Sequence, residues 1–204
     1  MSADPQVPSA RREELQELAY AYVLRNGMAG MSLRPLAEAV GSSPRVLLYL
    51  FGSKDGLVRA LLGRSRAEEL ALLAEVRAAG GGPAEVVERL WEWLAAPQQR
   101  DLLRLWAEGY ARSLVEPDGP WAGFAAQGVH DWIELLREVL GPGGDPTAVL
   151  ATLRGALLDL LATGDEERTT AAVRACVGAL TDERALRRLG SDERAVRRNG
   201  GGGL

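Results

Sequence analysis

Between Ser32 and Phe51 the chain asks for two short helices with almost no room between them. The stretch reads SLRPLAEAVGSSPRVLLYLF. Ser32 suits the N-cap of the first helix, because its hydroxyl can accept from a free backbone N–H. Pro35 lies in the first turn, where a missing N–H does no harm. Gly41 allows the left-handed backbone that ends a helix sharply. Ser43 then caps a second helix, with Pro44 at its first position. Leu36 and Val40 point inward from the first helix, and Leu47 and Leu50 face them from the second. Ala37 is small enough for the second helix to cross close over it. So tight a stop and restart forces a steep crossing, the geometry of a helix-turn-helix whose second helix enters a DNA major groove. A structural helical hairpin is the competing reading.

The rest of the sequence is also helical. Leu15, Leu18, Ala19, Tyr22 and Val23 form one stripe of a helix over 11–26, which Asn26-Gly27 ends. A long helix is expected over 54–79, up to the break at Gly80-Gly81-Gly82-Pro83. Further helices fit 84–95, 98–115, 120–140, 146–163 and 166–181, separated by Pro and Gly punctuation. No segment alternates as a strand does. The expected fold is all-α: an N-terminal three-helix helix-turn-helix domain over 11–55 and a larger C-terminal helical domain over 56–181 for effector binding and dimerisation. Pro5, Pro8 and the lack of apolar periodicity predict a flexible arm over 1–10. Residues 182–204 form a charged, glycine-rich tail in which DERALRRLG recurs as DERAVRRNG.

Several chemistries are hard to build from these residues. Cys176 is the only cysteine and His130 the only histidine, so neither an intrachain disulfide nor a Cys/His zinc site fits. No GxSxG stretch accompanies His130. No catalytic residue, metal site or cofactor is expected. No uncharged apolar run is long enough to span a bilayer, and no signal pattern opens the chain, so no membrane partner and a cytoplasmic location are expected.

The net charge of −4 hides a local basic excess. Residues 11–59 carry seven basic side chains (Arg11, Arg12, Arg25, Arg34, Arg45, Lys54, Arg59) against five acidic ones (Glu13, Glu14, Glu17, Glu38, Asp55). A basic face, not the total, is what DNA meets. Ser32, Arg34, Ser42, Ser43, Arg45, Val46, Tyr49 and Lys54 are the candidate DNA contacts, with Arg45 suited to a guanine edge. Lys54 is the only lysine among 24 basic residues. A compact ammonium on a flexible stem suits a phosphate.

The stretch SLRPLAEAVGSSPRVLLYLFGSKDGLVRALL, with the first helix and the NGMAGMS link, resembles the N-terminal domain of TetR-family transcriptional regulators over roughly residues 11–62. Helix spacing, Phe51, the Ser53-Lys54 pair and Leu57 match together. The resemblance implies a homodimer on a pseudo-palindromic operator, usually repressing, with a ligand pocket in the C-terminal domain. It implies that Ser32 stands where a threonine contacts phosphate. It likewise makes Tyr49 and Lys54 backbone contacts. Leu50 departs from the pattern, standing where histidine is common, which puts one phosphate contact in doubt.

The aromatic residues Trp91, Trp93, Trp106, Tyr110, Trp121, Phe124 and Trp132 cluster between 91 and 132. They form a core or line a pocket. Trp91, Trp106, Tyr110 and Phe124, with Gln127, His130 and Asp131 as polar groups, are candidates for an apolar or aromatic small-molecule effector. Gly109 and Gly128, inside helical patterns, leave room for a ligand or for close packing. The helices 146–163 and 166–181 are apolar on more than one face, so they must bury two surfaces. A partner subunit can cover one, and the family resemblance implies a four-helix dimer bundle there. The expected function is a ligand-responsive DNA-binding repressor. The alternatives are an activator of the same family and a helical small-molecule carrier or enzyme.

Overall fold

The structure is a computed structural model of the 204-residue chain, and it describes residues 6–181. The tail over 182–204 and residues 1–5 of the expected arm lie outside the described residues. Nine α-helices and two 3₁₀ turns make up the described secondary structure, with no strand among the described residues. The helices are α1 (Gln6–Asn26), α2 (Leu33–Ala39), α3 (Pro44–Phe51), α4 (Lys54–Ala79), α5 (Pro83–Ala95), α6 (Arg100–Val115), α7 (Phe124–Leu140), α8 (Pro146–Thr163) and α9 (Glu166–Thr181).

Most ends follow the punctuation in the sequence, and α4, α8 and α9 have the expected bounds. Two starts differ. α1 begins at Gln6, so residues 6–10 belong to a helix and not to an arm. Pro8 does not prevent this, because the first four N–H groups of a helix have no intrahelical acceptor. α7 begins at Phe124 and not at 120, because the chain turns at Gly123 with φ 75°.

The chain divides into two compact units, residues 1–72 with 98–129 and residues 73–97 with 130–204. The sequence boundary at 55/56 follows the motif, whereas this division follows packing. α6 packs on α1. Leu105 of α6 and Trp121 join Leu15, Ala19, Val23, Leu36, Leu47 and Leu61 in the core of the first unit. Glu108 Oε2 accepts the N–H of Met28 at 2.8 Å, tying α6 to the loop after α1.

The buried stripe of α1 is Leu15, Ala19, Tyr20 and Val23. Tyr20 takes the place expected for Leu18, which is 44% exposed. The phenol donates to Glu68 Oε2 at 3.0 Å and the Arg64 guanidinium sits 5.0 Å from its ring centre. A hydroxyl with a partner can be buried, so a tyrosine fits where periodicity alone favours leucine. Burial, and then the Glu68 carboxylate, push the phenol well above its ordinary pKa.

In the second unit α8 packs on α9, and both pack on α5. Val149, Leu153, Leu157 and Leu160 of α8 and Val173 and Val177 of α9 are buried, with Trp91 and Leu94 of α5. Asp145 caps α8 by accepting from Ala148 N at 3.0 Å. Arg168 clamps the turn between α8 and α9. It donates to both oxygens of Asp159 at 2.7 Å and to Asp165 at 3.1 Å. α8 is long and apolar enough to cross a membrane by length and composition, although Arg154 and Asp159 interrupt it. Its packing on α5 and α9 is that of a core helix, but only 28% of it is buried.

Candidate nucleic-acid interface and effector residues

The break at Gly41 is built as two backbone bonds. Gly41 N–H donates to Glu38 O at 3.2 Å and Ser42 N–H to Ala37 O at 2.8 Å, with Gly41 at φ 61°. This pair of bonds is the Schellman ending, which satisfies the last carbonyls of α2 and turns the chain within two residues. Ser43 then accepts from Val46 N at 3.3 Å, and Pro44 opens α3. Ser32 behaves differently from expectation. It occupies the N-cap of α2, but its hydroxyl makes no capping hydrogen bond. The exposed hydroxyl is left to solvent or a ligand.

Helical rotation of about 100° per residue sorts α3 into two faces. Leu47 and Phe51 are buried and Leu50 is half-buried against the core, matching the packing role read for Leu50. Arg12 lies 5.1 Å over the Phe51 ring, so α1 braces the inner face. Arg45 and Tyr49, one turn apart, form the middle of the outer face, and Tyr49 is 80% exposed. Val46 lies on one flank and Leu48 on the other, each 39% exposed. Leu48 is absent from the residues singled out in the sequence, although its place between inward Leu47 and Leu50 marks it as outward.

Arg34 and Ser43 are exposed and Ser42 half-buried on either side of the turn. Lys54 is exposed at the first position of α4. That helix is capped by Ser53, whose hydroxyl accepts from Gly56 N at 2.9 Å. Ser53 is a second residue that sequence reading missed as a cap, although a serine just before a helical pattern is the usual signal. The structure thus brings Ser42, Ser43, Arg45, Val46 and Tyr49 together at α3, and puts Ser32 and Arg34 at the start of α2.

The effector candidates fall in both units. Trp106 and Tyr110 stack along α6 with ring centres 5.2 Å apart. Phe124 and Gln127, one turn apart on α7, line a cavity of about 420 Å³ in the first unit. A Cβ at Gly109 would come within 3.0 Å of the Phe124 ring and 3.2 Å of Leu62, so this glycine serves close packing. In the second unit Trp91 is a core residue whose indole N–H donates to Thr170 Oγ1 at 2.9 Å. His130 is exposed, 3.2 Å from Glu134. Asp131 is half-buried.

A helix-turn-helix with an exposed second helix, carried on an all-α chain, defines a class of helical DNA-binding folds. Solved structures specify it further: the chain has the fold of the TetR-family transcriptional regulators. A transcriptional regulator from Rhodococcus sp. Rha1 superposes with a TM-score of 0.71 at 22% identity, covering 83% of this chain and 95% of that one. A TetR transcription regulator from Haloarcula marismortui gives 0.69 at 19% identity, covering 85% and 97%. The multidrug binding protein EbrR in complex with imidazole gives 0.61 at 26% identity, covering 85% and 90%. By sequence, the chain is 35% identical over 95 residues to the HTH-type transcriptional repressor AcnR of Corynebacterium diphtheriae, covering 47% of this chain and 46% of that protein. It is 27% identical over 115 residues to the HTH-type transcriptional regulator BetI of Stenotrophomonas maltophilia, covering 55% and 59%. The matches thus span about half the length of these relatives. No protein-family model matches the chain.

Proposed function

We propose that the chain is a ligand-responsive transcriptional repressor that binds a pseudo-palindromic operator as a homodimer in the cytoplasm. The observation that carries this reading is the outer face of α3, where Arg45 and Tyr49 stand exposed on a helix otherwise locked into the core. Base-reading residues of such a helix sit in its first turn. Arg45 is there to donate two bonds to a guanine, and Val46 to touch a thymine methyl. Ser32, Arg34, Ser42, Ser43, Tyr49 and Lys54 hold the phosphate backbone and fix the docking register.

The dimer uses α8 and α9. Leu158 is 51% exposed on α8, and Gly155, Ala171, Ala172, Cys176 and Gly178 are exposed small or apolar residues on the same two helices. An apolar helix with so little of its surface covered calls for a partner, and a second copy gives the two half-sites their symmetry. Effector binding lowers operator affinity by favouring a different arrangement of the reading helices. The naming of EbrR as a multidrug binding protein agrees with an apolar or aromatic effector, for which Trp106, Tyr110, Phe124 and Gln127, and Trp91, His130 and Asp131, are the candidates.

Selection of bound duplexes from a random DNA pool tests the reading. A palindromic winner, bound by a dimer and weakened by salt, is the expected result. A folded chain that enriches no sequence would overturn it. The distance from the operator to the promoter start decides between repressor and activator.

A further inference from the structure

α4 carries a glycine that its own packing does not require. Gly63 lies in the middle of the helix, and a Cβ there would meet nothing within 4 Å. Glycine in a helix interior costs roughly 1 kcal/mol relative to alanine. Close packing explains Gly109, but it does not explain Gly63.

What lies beside Gly63 is the cavity of about 420 Å³ in the first unit. Its walls are Arg59, Leu62, Gly63 and Arg66 of α4, the 118–122 turn, and Phe124 and Gln127 of α7. Arg59, Gly63 and Arg66 share one helical face, four and three residues apart, so the two arginines are separated by about 10 Å along the axis with the glycine between them. Arg66 donates to Gln127 Oε1 at 2.8 Å, which orients the guanidinium without adding negative charge. Leu62 and Phe124 supply an apolar surface. Asp118 stands at the rim as the one acid among the lining residues.

We propose that this cavity is the effector site, and that its ligand is a flat aromatic molecule bearing a single carboxylate. The ring lies over Gly63 against Leu62 and Phe124, and the carboxylate meets the Arg59 and Arg66 guanidiniums. Asp118 repels a second anionic group and accepts from a ring hydroxyl or amine. The volume suits a small aromatic acid. The inference rests on the regulator reading above. It differs from the aromatic-cluster expectation in adding a charge requirement and in centring the site on α4, the helix that begins at Lys54.

The test is calorimetric titration of the full chain with 2-naphthoate and with the neutral isostere 2-naphthalenemethanol. Native protein should bind the acid at least tenfold more tightly than the alcohol, the order expected of a charge-assisted hydrogen bond. Arg59→Gln should remove most of that preference. Gly63→Leu should abolish binding of both probes while circular dichroism and melting show the fold intact. Saturating 2-naphthoate should weaken operator binding by the native chain. Equal binding of acid and alcohol, undiminished binding to folded Gly63→Leu, or binding without any change in operator affinity would each overturn the site. An operator selected and bound normally, with no probe binding, overturns the cavity alone. Probe binding with no selectable operator overturns the regulator reading instead.

Discussion

Arg45 and Lys54 are both exposed cations near the same turn, yet they are expected to fail differently when removed. Arg45 stands in the first turn of the reading helix. Arg45→Ala should cost about 1–3 kcal/mol on the selected operator and relax the preference at one base position. Lys54 stands at the start of α4, off the reading helix. Lys54→Ala should weaken all duplexes alike and lower the salt slope by about one. Affinities on the operator and on four single-base variants, at two salt concentrations, separate the outcomes. The same pattern from both variants would remove the distinction between reading and holding. Tyr20 supplies a second prediction at this scale. Its folded-state pKa is raised, so the protonated phenol is the form that the fold favours. That stability is fully present below the unfolded phenol value of about 10, and it is lost as the pH climbs through the higher folded value. Alkaline difference spectra of native protein and Tyr20→Phe should show that the substitution removes the last tyrosinate to appear. Loss of an early-ionising one would contradict the burial and the Glu68 contact.

At the scale of elements, the turn between α2 and α3 sets the direction of the reading helix. Gly41 holds φ 61°, a region that costs a residue with a Cβ roughly 1–2 kcal/mol. Gly41→Ala should therefore lower unfolding stability by about that amount, measured by urea titration. It should lower operator affinity too, because α3 tilts when the turn relaxes. Gly41→Asn should recover part of both, since asparagine tolerates the left-handed region. An alanine variant as stable as the native chain would mean that the turn is not strained as described. This turn was legible in the sequence because its determinants lie within four residues of one another. The start of α7 was less so: Pro120 suits a helix start, yet Trp121 is drawn into the core of the first unit and the helix waits for Phe124.

For the whole molecule the uncovered face of α8 and α9 is the decisive feature. Leu158→Glu should convert a dimer to a monomer of unchanged helicity, read by light scattering and circular dichroism. Operator affinity should fall steeply, because two half-sites would no longer be held by one particle. A dimer that survives this substitution would mean that the interface lies elsewhere. The division of the chain into units is also a whole-molecule property. The acidic total gave no hint of it, and neither did the motif boundary at residue 55. The grouping depends on Leu105, Trp121 and Glu108 reaching residues of the first unit that are 80 positions away in the case of Met28.

What the sequence determined by itself were the features written in short-range chemistry. The capped restart at Ser43, the glycine stop at Gly41, the ends of α8 and α9 and the outward set of Arg45, Val46 and Tyr49 all follow from residues within a helical turn or two of one another. Only the tertiary structure decided that Tyr20 and not Leu18 is buried, because a hydroxyl enters a core when a distant partner, here Glu68, is present to receive it. Only the tertiary structure showed Gly63 beside a cavity with Arg59, Arg66 and Phe124 around it. Burial and cavities are set by what arrives from elsewhere in the chain, and a local pattern carries no record of that.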